Sequence, residues 1–141
     1  MSDANPIDMV IEMYPEIKFQ KLLGIEILQA EVGTDVAKVK LPFRMDLAGG
    51  GKAYHGGVIS SLIDLTGALA TWVGHDPEKG FKASTVSLNV QFMAAAKGED
   101  IIATGTVRKR GRDLNFVDIV VETEEGNKQV AIGQMVYRIV P

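Results

Sequence analysis

A chain of 141 residues with no cysteine has the length of one domain and excludes thiol nucleophiles, thiolate metal sites and disulfides. Its 46% hydrophobic and 23% charged residues are the proportions of a folded globular protein, not of a disordered one. A net charge of -3 argues against a general nucleic-acid binder, and two histidines outside any metal-ligand spacing predict no metal.

The first residues, Met1-Ser2-Asp3-Ala4-Asn5-Pro6, have neither the positive start nor the apolar run of a signal peptide, so a cytoplasmic protein without a membrane anchor is expected. From Pro6 to Leu23 apolar residues recur at roughly helical spacing around Pro15. Residues 1–23 are therefore read as a leading helical segment broken in the middle. Between Gly24 and Pro42, Val36, Val39 and Leu41 alternate with polar residues and Gly33-Thr34-Asp35 forms a turn signal, which predicts two strands in hairpin order. Phe43 to Tyr54 contains Gly49-Gly50-Gly51, which should not continue a regular element, and is expected as a loop.

The central helix should begin near Gly56-Gly57 and stop at about Gly74. It is nearly long enough to span a bilayer, but Asp64, two serines, two threonines and an interior glycine favour a buried helix. Beyond it, Val86, Leu88, Val90 and Phe92 alternate with Thr85, Ser87, Asn89 and Gln91 at a period of two. Three further β-branched runs, Ile101–Lys109, Asn115–Thr123 and Gln129–Val140, are separated by turn signals, and consecutive hairpins predict an antiparallel meander. One long apolar helix with five to six antiparallel strands is an α+β layer structure, residues 1–141 forming one domain in which the sheet wraps the helix. On a helical wheel Ser60, Ser61, Asp64, Gly67, Ala68 and Thr71 share a side without Lys or Glu, which predicts contact with another backbone, a partner subunit.

Asp64 is the one ionisable residue between His55 and His75. A carboxylate in an apolar helix costs several kcal/mol unless it is hydrogen-bonded or functional. Gly56 and Gly57 stand where the first free N–H groups of the helix should point, and an amide aimed at a carbonyl oxygen stabilises an oxyanion. A tight loop-to-helix turn explains two glycines equally well.

The run Tyr54-His55-Gly56-Gly57-Val58-Ile59-Ser60-Ser61-Leu62-Ile63-Asp64, then Ala68-Leu69-Ala70, then Ser87-Leu88-Asn89-Val90-Gln91-Phe92-Met93-Ala94-Ala95-Ala96, resembles the PaaI-like (phenylacetic acid degradation type) branch of the hot-dog thioesterases. The similarity in order and spacing extends from about Gly24 to Val140. It implies a hot-dog fold and hydrolysis of acyl-CoA thioesters with no cofactor beyond the CoA of the substrate. It further implies that the Gly56 N–H polarises the thioester carbonyl and that Asp64 attacks it or activates water. Thr85 would hold the attacking water, while His55 and Gly57 would shape the substrate-binding turn. The resemblance also implies a site shared between two subunits, in a homodimer or homotetramer.

One departure stands out. Many relatives carry Asn or Gln fifteen residues before the acid, where this chain has Gly49. A binding-only or weakly active acyl-CoA protein is therefore the alternative, and a dehydratase a third reading that would want a better-matched acid/base pair. Arg108, Lys109, Arg110 and Arg112 form a basic cluster that the resemblance implies as a hold for CoA phosphates, a solvated hairpin tip being the other reading. Trp72, Phe43, Met45 and Tyr54 are either acyl-pocket lining or plain core.

Overall fold

The computed structural model describes residues 5–141, and the first four residues of the leading segment lie outside it. That segment forms helix α1 (Pro6–Met13), a 3-10 turn at Tyr14–Glu16 and helix α2 (Lys18–Leu23). Asn5 caps α1 through its side chain, and Pro15 sits in the tighter turn that separates the helices. At the end of α2, Gly24 takes the left-handed conformation at φ 82°, and the Arg44 guanidinium donates to the carbonyls of Leu22 and Leu23.

Strands β1 (Glu26–Ala30) and β2 (Val36–Leu41) make the expected hairpin. The expected loop before the central helix is more ordered than its glycines imply. A 3-10 turn at Met45–Leu47 leads into two short paired strands, β3 (Ala48–Gly50) and β4 (Ala53–Tyr54). The aromatic residues at the two ends of the segment supply what glycine cannot: the buried Tyr54 hydroxyl donates to Glu99 O at 2.6 Å, and its ring packs edge-on against Phe43.

Helix α3 (Gly56–Val73) touches all six strands of a sheet that curls around it. After it come β5 (Lys82–Phe92), β6 (Ile101–Arg110), β7 (Leu114–Thr123) and β8 (Gln129–Val140), all antiparallel in the order β1-β2-β6-β7-β8-β5. This is the hot-dog arrangement. Only β6, β7 and β8 form the expected meander. Strand β5 is an outer edge beside β8, because the chain crosses the sheet after Phe92 to pair β6 with β2. Alternation identifies a strand's faces but not its neighbours.

By length and composition α3 qualifies as a membrane span, yet most of it is buried in the protein as a core helix. Leu62, Ile63 and Leu69 are wholly buried in one core with Ile119, Met135 and Ile139, each such side chain stabilising the fold by about 1.5–3 kcal/mol. Glycines allow the approach. A methyl group on Gly67 would lie 2.0 Å from Met135 Sδ, and one on Gly133 would lie 2.6 Å from Ile63 Cγ2. Gly67, Ala68 and Thr71 are thus buried on the chain's own sheet, which corrects the expectation of a partner backbone there. Ser60, Ser61 and Asp64, nearer the start of the helix, are the part of that face left half-exposed.

Candidate active site

The start of α3 is built from its neighbours. Hydrogen bonds from Tyr54 N to Ala96 O and from His55 N to Leu47 O fix the entering chain. His55 is the N-cap in extended conformation, and its carbonyl accepts from the amides of Val58 at 2.9 Å and Ile59 at 3.2 Å. Its imidazole Nδ1 accepts from Gly57 N–H at 2.8 Å. Two of the four amides that a helix start leaves without intrahelical partners are Gly56 and Gly57. Gly57 is thereby satisfied. Among the described residues nothing accepts from Gly56 N–H, which stands free at the positive end of the helix. The Phe92 ring lies 3.5 Å from where a Gly56 methyl would be, so the end of β5 borders this amide.

Two turns along, Asp64 is half-buried and accepts from the Thr85 hydroxyl, Thr85 Oγ1 to Asp64 Oδ1, at 2.7 Å. Period-two alternation places Thr85 on the opposite face of β5 from Phe92. A β-bulge at Val86 shifts the register between Thr85 and Ser87, so both residues face α3.

Two tyrosines that sequence reasoning did not single out stand around Asp64. Tyr14 is buried between the leading segment and α3, and its hydroxyl donates to Leu65 O at 2.5 Å. Burial holds this phenol well above its ordinary range, and the nearby Tyr137 and Asp64 add to the effect. Tyr137 lies directly across from Thr85 on β8 and edge-on to Trp72. Burial raises its pKa too, opposed by the Trp72 indole and reinforced by the Asp64 charge. Both phenols remain protonated at neutral pH. Their only sequence signal was the tyrosine itself, since the register that brings Tyr137 opposite Thr85 is not written locally.

The basic cluster divides. Arg110 spends its guanidinium on the far end of α3, donating to Thr71 O at 3.0 Å and Ala70 O at 3.3 Å and pairing with Asp35 at 3.0 Å. Its donors are taken by the fold, so a role as a phosphate ligand is not what the geometry favours for this member. Arg108, the residue at a bulge in β6, pairs with Asp118 at 2.8 Å on the outer face of the sheet. Lys109 is exposed, and among the described residues Arg112 pairs only with its neighbour Asp113. Tyr54 and Trp72 are core residues, Phe43 is half-buried against that core, and Met45 is 60% exposed.

A long helix held in a curled antiparallel sheet, with a free glycine amide at its start and a hydroxyl-bound carboxylate two turns on, defines the hot-dog class. The Thioesterase superfamily model matches residues 51–130, more than half of the chain, and the protein belongs to that family: it is a PaaI-like thioester hydrolase. Human acyl-coenzyme A thioesterase 13 is 30% identical over 118 residues, covering 82% of this chain and 81% of that protein. Among solved structures, the Escherichia coli PaaI protein of the phenylacetic acid degradation operon superposes with a TM-score of 0.80 at 25% identity, over 94% of this chain and 91% of that one. Zebrafish thioesterase superfamily member 2 gives a TM-score of 0.80 at 26% identity, over 96% and 98%.

Proposed function

We propose that this enzyme hydrolyses acyl-CoA thioesters to a carboxylic acid and free CoA, with Asp64 and Gly56 acting on the same thioester from different subunits. The observation that carries this reading is the Thr85–Asp64 hydrogen bond beside a helix whose first amide is free. In the general-base form, Asp64 takes a proton from water while the water oxygen bonds to the thioester carbon. The carbonyl oxygen becomes an oxyanion on the Gly56 N–H. The C–S bond then breaks, and the CoA thiolate leaves with the proton that Asp64 held. In the nucleophilic form the carboxylate itself attacks, CoA leaves, and water opens the resulting anhydride. Thr85 orients the carboxylate in either form, and water is the one co-reactant.

Distance argues for two subunits. Gly56 and Asp64 are eight positions apart on one helix, about 12 Å along its axis. Both groups must lie about 3 Å from one reacting centre, so a single chain does not assemble the site. Edge strand β5 supplies the means of pairing: it is exposed along most of its length and presents Val86 at 56% and Phe92 at 55% exposure. A free, apolar edge pairs readily with a second copy. Further pairing of dimers to a tetramer would use the outer sheet face, where Phe116 and Ile132 are exposed. Arg108, Lys109 and Arg112 remain the candidates for CoA phosphates, and a cytoplasmic reaction is part of the same reading.

A thiol-release assay over aromatic, short, medium and long acyl-CoAs tests the reading. Wild-type enzyme should release CoA, and Asp64→Ala should lose about 10³-fold in kcat while staying folded. Binding of a non-hydrolysable CoA thioether without release of CoA from any ester would replace hydrolysis with the binding-only alternative.

A further inference from the structure

The His55 ring is held in one orientation by features that do not serve the helix start alone. Its Nδ1 accepts from an amide N–H, so that nitrogen carries a lone pair and the ring proton is on Nε2. Glycines flank it on both sides. A methyl group on Gly57 would lie 2.9 Å from Nδ1 and 3.1 Å from Cε1, and one on Gly49 would lie 3.4 Å from Cδ2 and 3.1 Å from His55 Cα. Nε2, the atom between Cε1 and Cδ2, is left at the tip of an exposed ring, with no acceptor among the described residues. The same hydrogen bond that fixes this tautomer consumes the Gly57 amide, leaving, among the described residues, a single free backbone donor at the helix start.

We propose that His55 is a catalytic residue whose Nε2–H is the second donor to the thioester oxygen, completing with Gly56 N–H a two-donor oxyanion hole. The inference rests on the hydrolytic site described above. It gives Gly49 a role: a side chain there would press on the ring that now supplies the donor. His55 is then neither a base nor only a cap, since one face of the imidazole accepts from Gly57 while the other donates to the substrate.

His55→Asn separates these duties. Asparagine is a good N-cap whose side-chain oxygen takes the Gly57 amide, but it places no donor at the distal position. The expected result with an acyl-CoA that wild type turns over is a kcat lower by about 10²-fold, the usual loss for one oxyanion donor, with KM and the urea unfolding midpoint within twofold and unchanged respectively. With a carbonyl-13C acyl-CoA bound to Asp64→Asn enzyme, the C=O stretch should move to higher frequency when His55→Asn is added, because a donor to that oxygen has gone. Active wild type with a His55→Asn kcat within twofold would overturn the inference and leave the site intact. A fall in kcat matched by a lower unfolding midpoint, with no change in the C=O stretch, would reduce His55 to a cap and equally overturn it. Full turnover by Asp64→Asn would instead sink the site, and this inference with it. If His55→Asn fails to fold, the 15N shifts of the wild-type imidazole decide: a proton on Nδ1 rather than Nε2 contradicts the proposal.

Discussion

The two ends of α3 are both closed by a side chain, and the difference between them separates chemistry from stability. At the far end Arg110 reaches across from β6 and satisfies the carbonyls of Ala70 and Thr71 with a fork anchored on Asp35. Trp72, His75 and Phe81 pack around that end as an aromatic cluster. At the near end a histidine satisfies one amide and leaves the next one free, in surroundings kept bare by Gly49, Gly56 and Gly57. A helix needs its last carbonyls covered as much as its first amides. Here, among the described residues, only the first turn is left incomplete, and that is where a carbonyl oxygen can be bound.

Removing the fork should break the far end without touching the near one. Arg110→Ala leaves two carbonyls and Asp35 without their cation and should cost about 2–3 kcal/mol of stability, read from urea unfolding, while kcat per folded molecule stays at the wild-type value. Arg110→Lys should recover only part of this, since an ammonium cannot bridge three acceptors with a planar fork. A kcat that fell with Arg110→Ala in fully folded protein would instead connect the basic cluster to the reaction.

The flank of Asp64 sharpens the comparison with a smaller effect. Thr85→Val keeps the shape and removes the hydroxyl that holds Oδ1, and should lower kcat about tenfold, the equivalent of one hydrogen bond to a charged group. Thr85→Ser should keep most of the activity. Steady-state kinetics on the pair decides whether the hydroxyl or the packing matters.

Alkali should act on the fold through the tyrosines. Tyr14, Tyr54 and Tyr137 all have phenols raised by burial. A phenol raised in the folded state binds its proton more tightly there than in the unfolded chain. Stability is therefore complete below the unfolded value near 10 and is lost as pH rises beyond it. Unfolding midpoints from pH 8 to 11 should be flat and then fall, and Tyr14→Phe should reduce the fall.

Much of this was legible in the sequence because local rules decide it. The start and stop of α3 and its glycine pair follow from residues next to one another, and the long strands follow from β-branched alternation; the His55 cap came only with the structure. What was not legible depends on register. Thr85 alternates with the apolar residues of β5, which alone would turn it away from the helix; the bulge at Val86 reverses the parity and lets it meet Asp64. The wheel grouped Gly67 with Asp64, but only the curl of the sheet decides that Met135 covers one and leaves the other half-exposed. Arg110 looked like its basic neighbours until the turn at Thr34-Asp35 and the end of α3 were brought to the same place.

In the proposed reaction Gly56 and Asp64 act on one thioester from different chains, and mixing two inactive variants separates this from a site within one chain. Gly56 is the first residue of α3, where proline is well tolerated and the extended His55 before it is compatible, so Gly56→Pro removes the free N–H while keeping the helix start. Gly56→Pro and Asp64→Asn should each be inactive alone. In a mixed dimer one site carries both substitutions and the other neither, so equal co-expression should restore about a quarter of the wild-type specific activity. No activity above that of the two parents, in preparations shown to contain the mixed dimer, would contradict a site shared between chains.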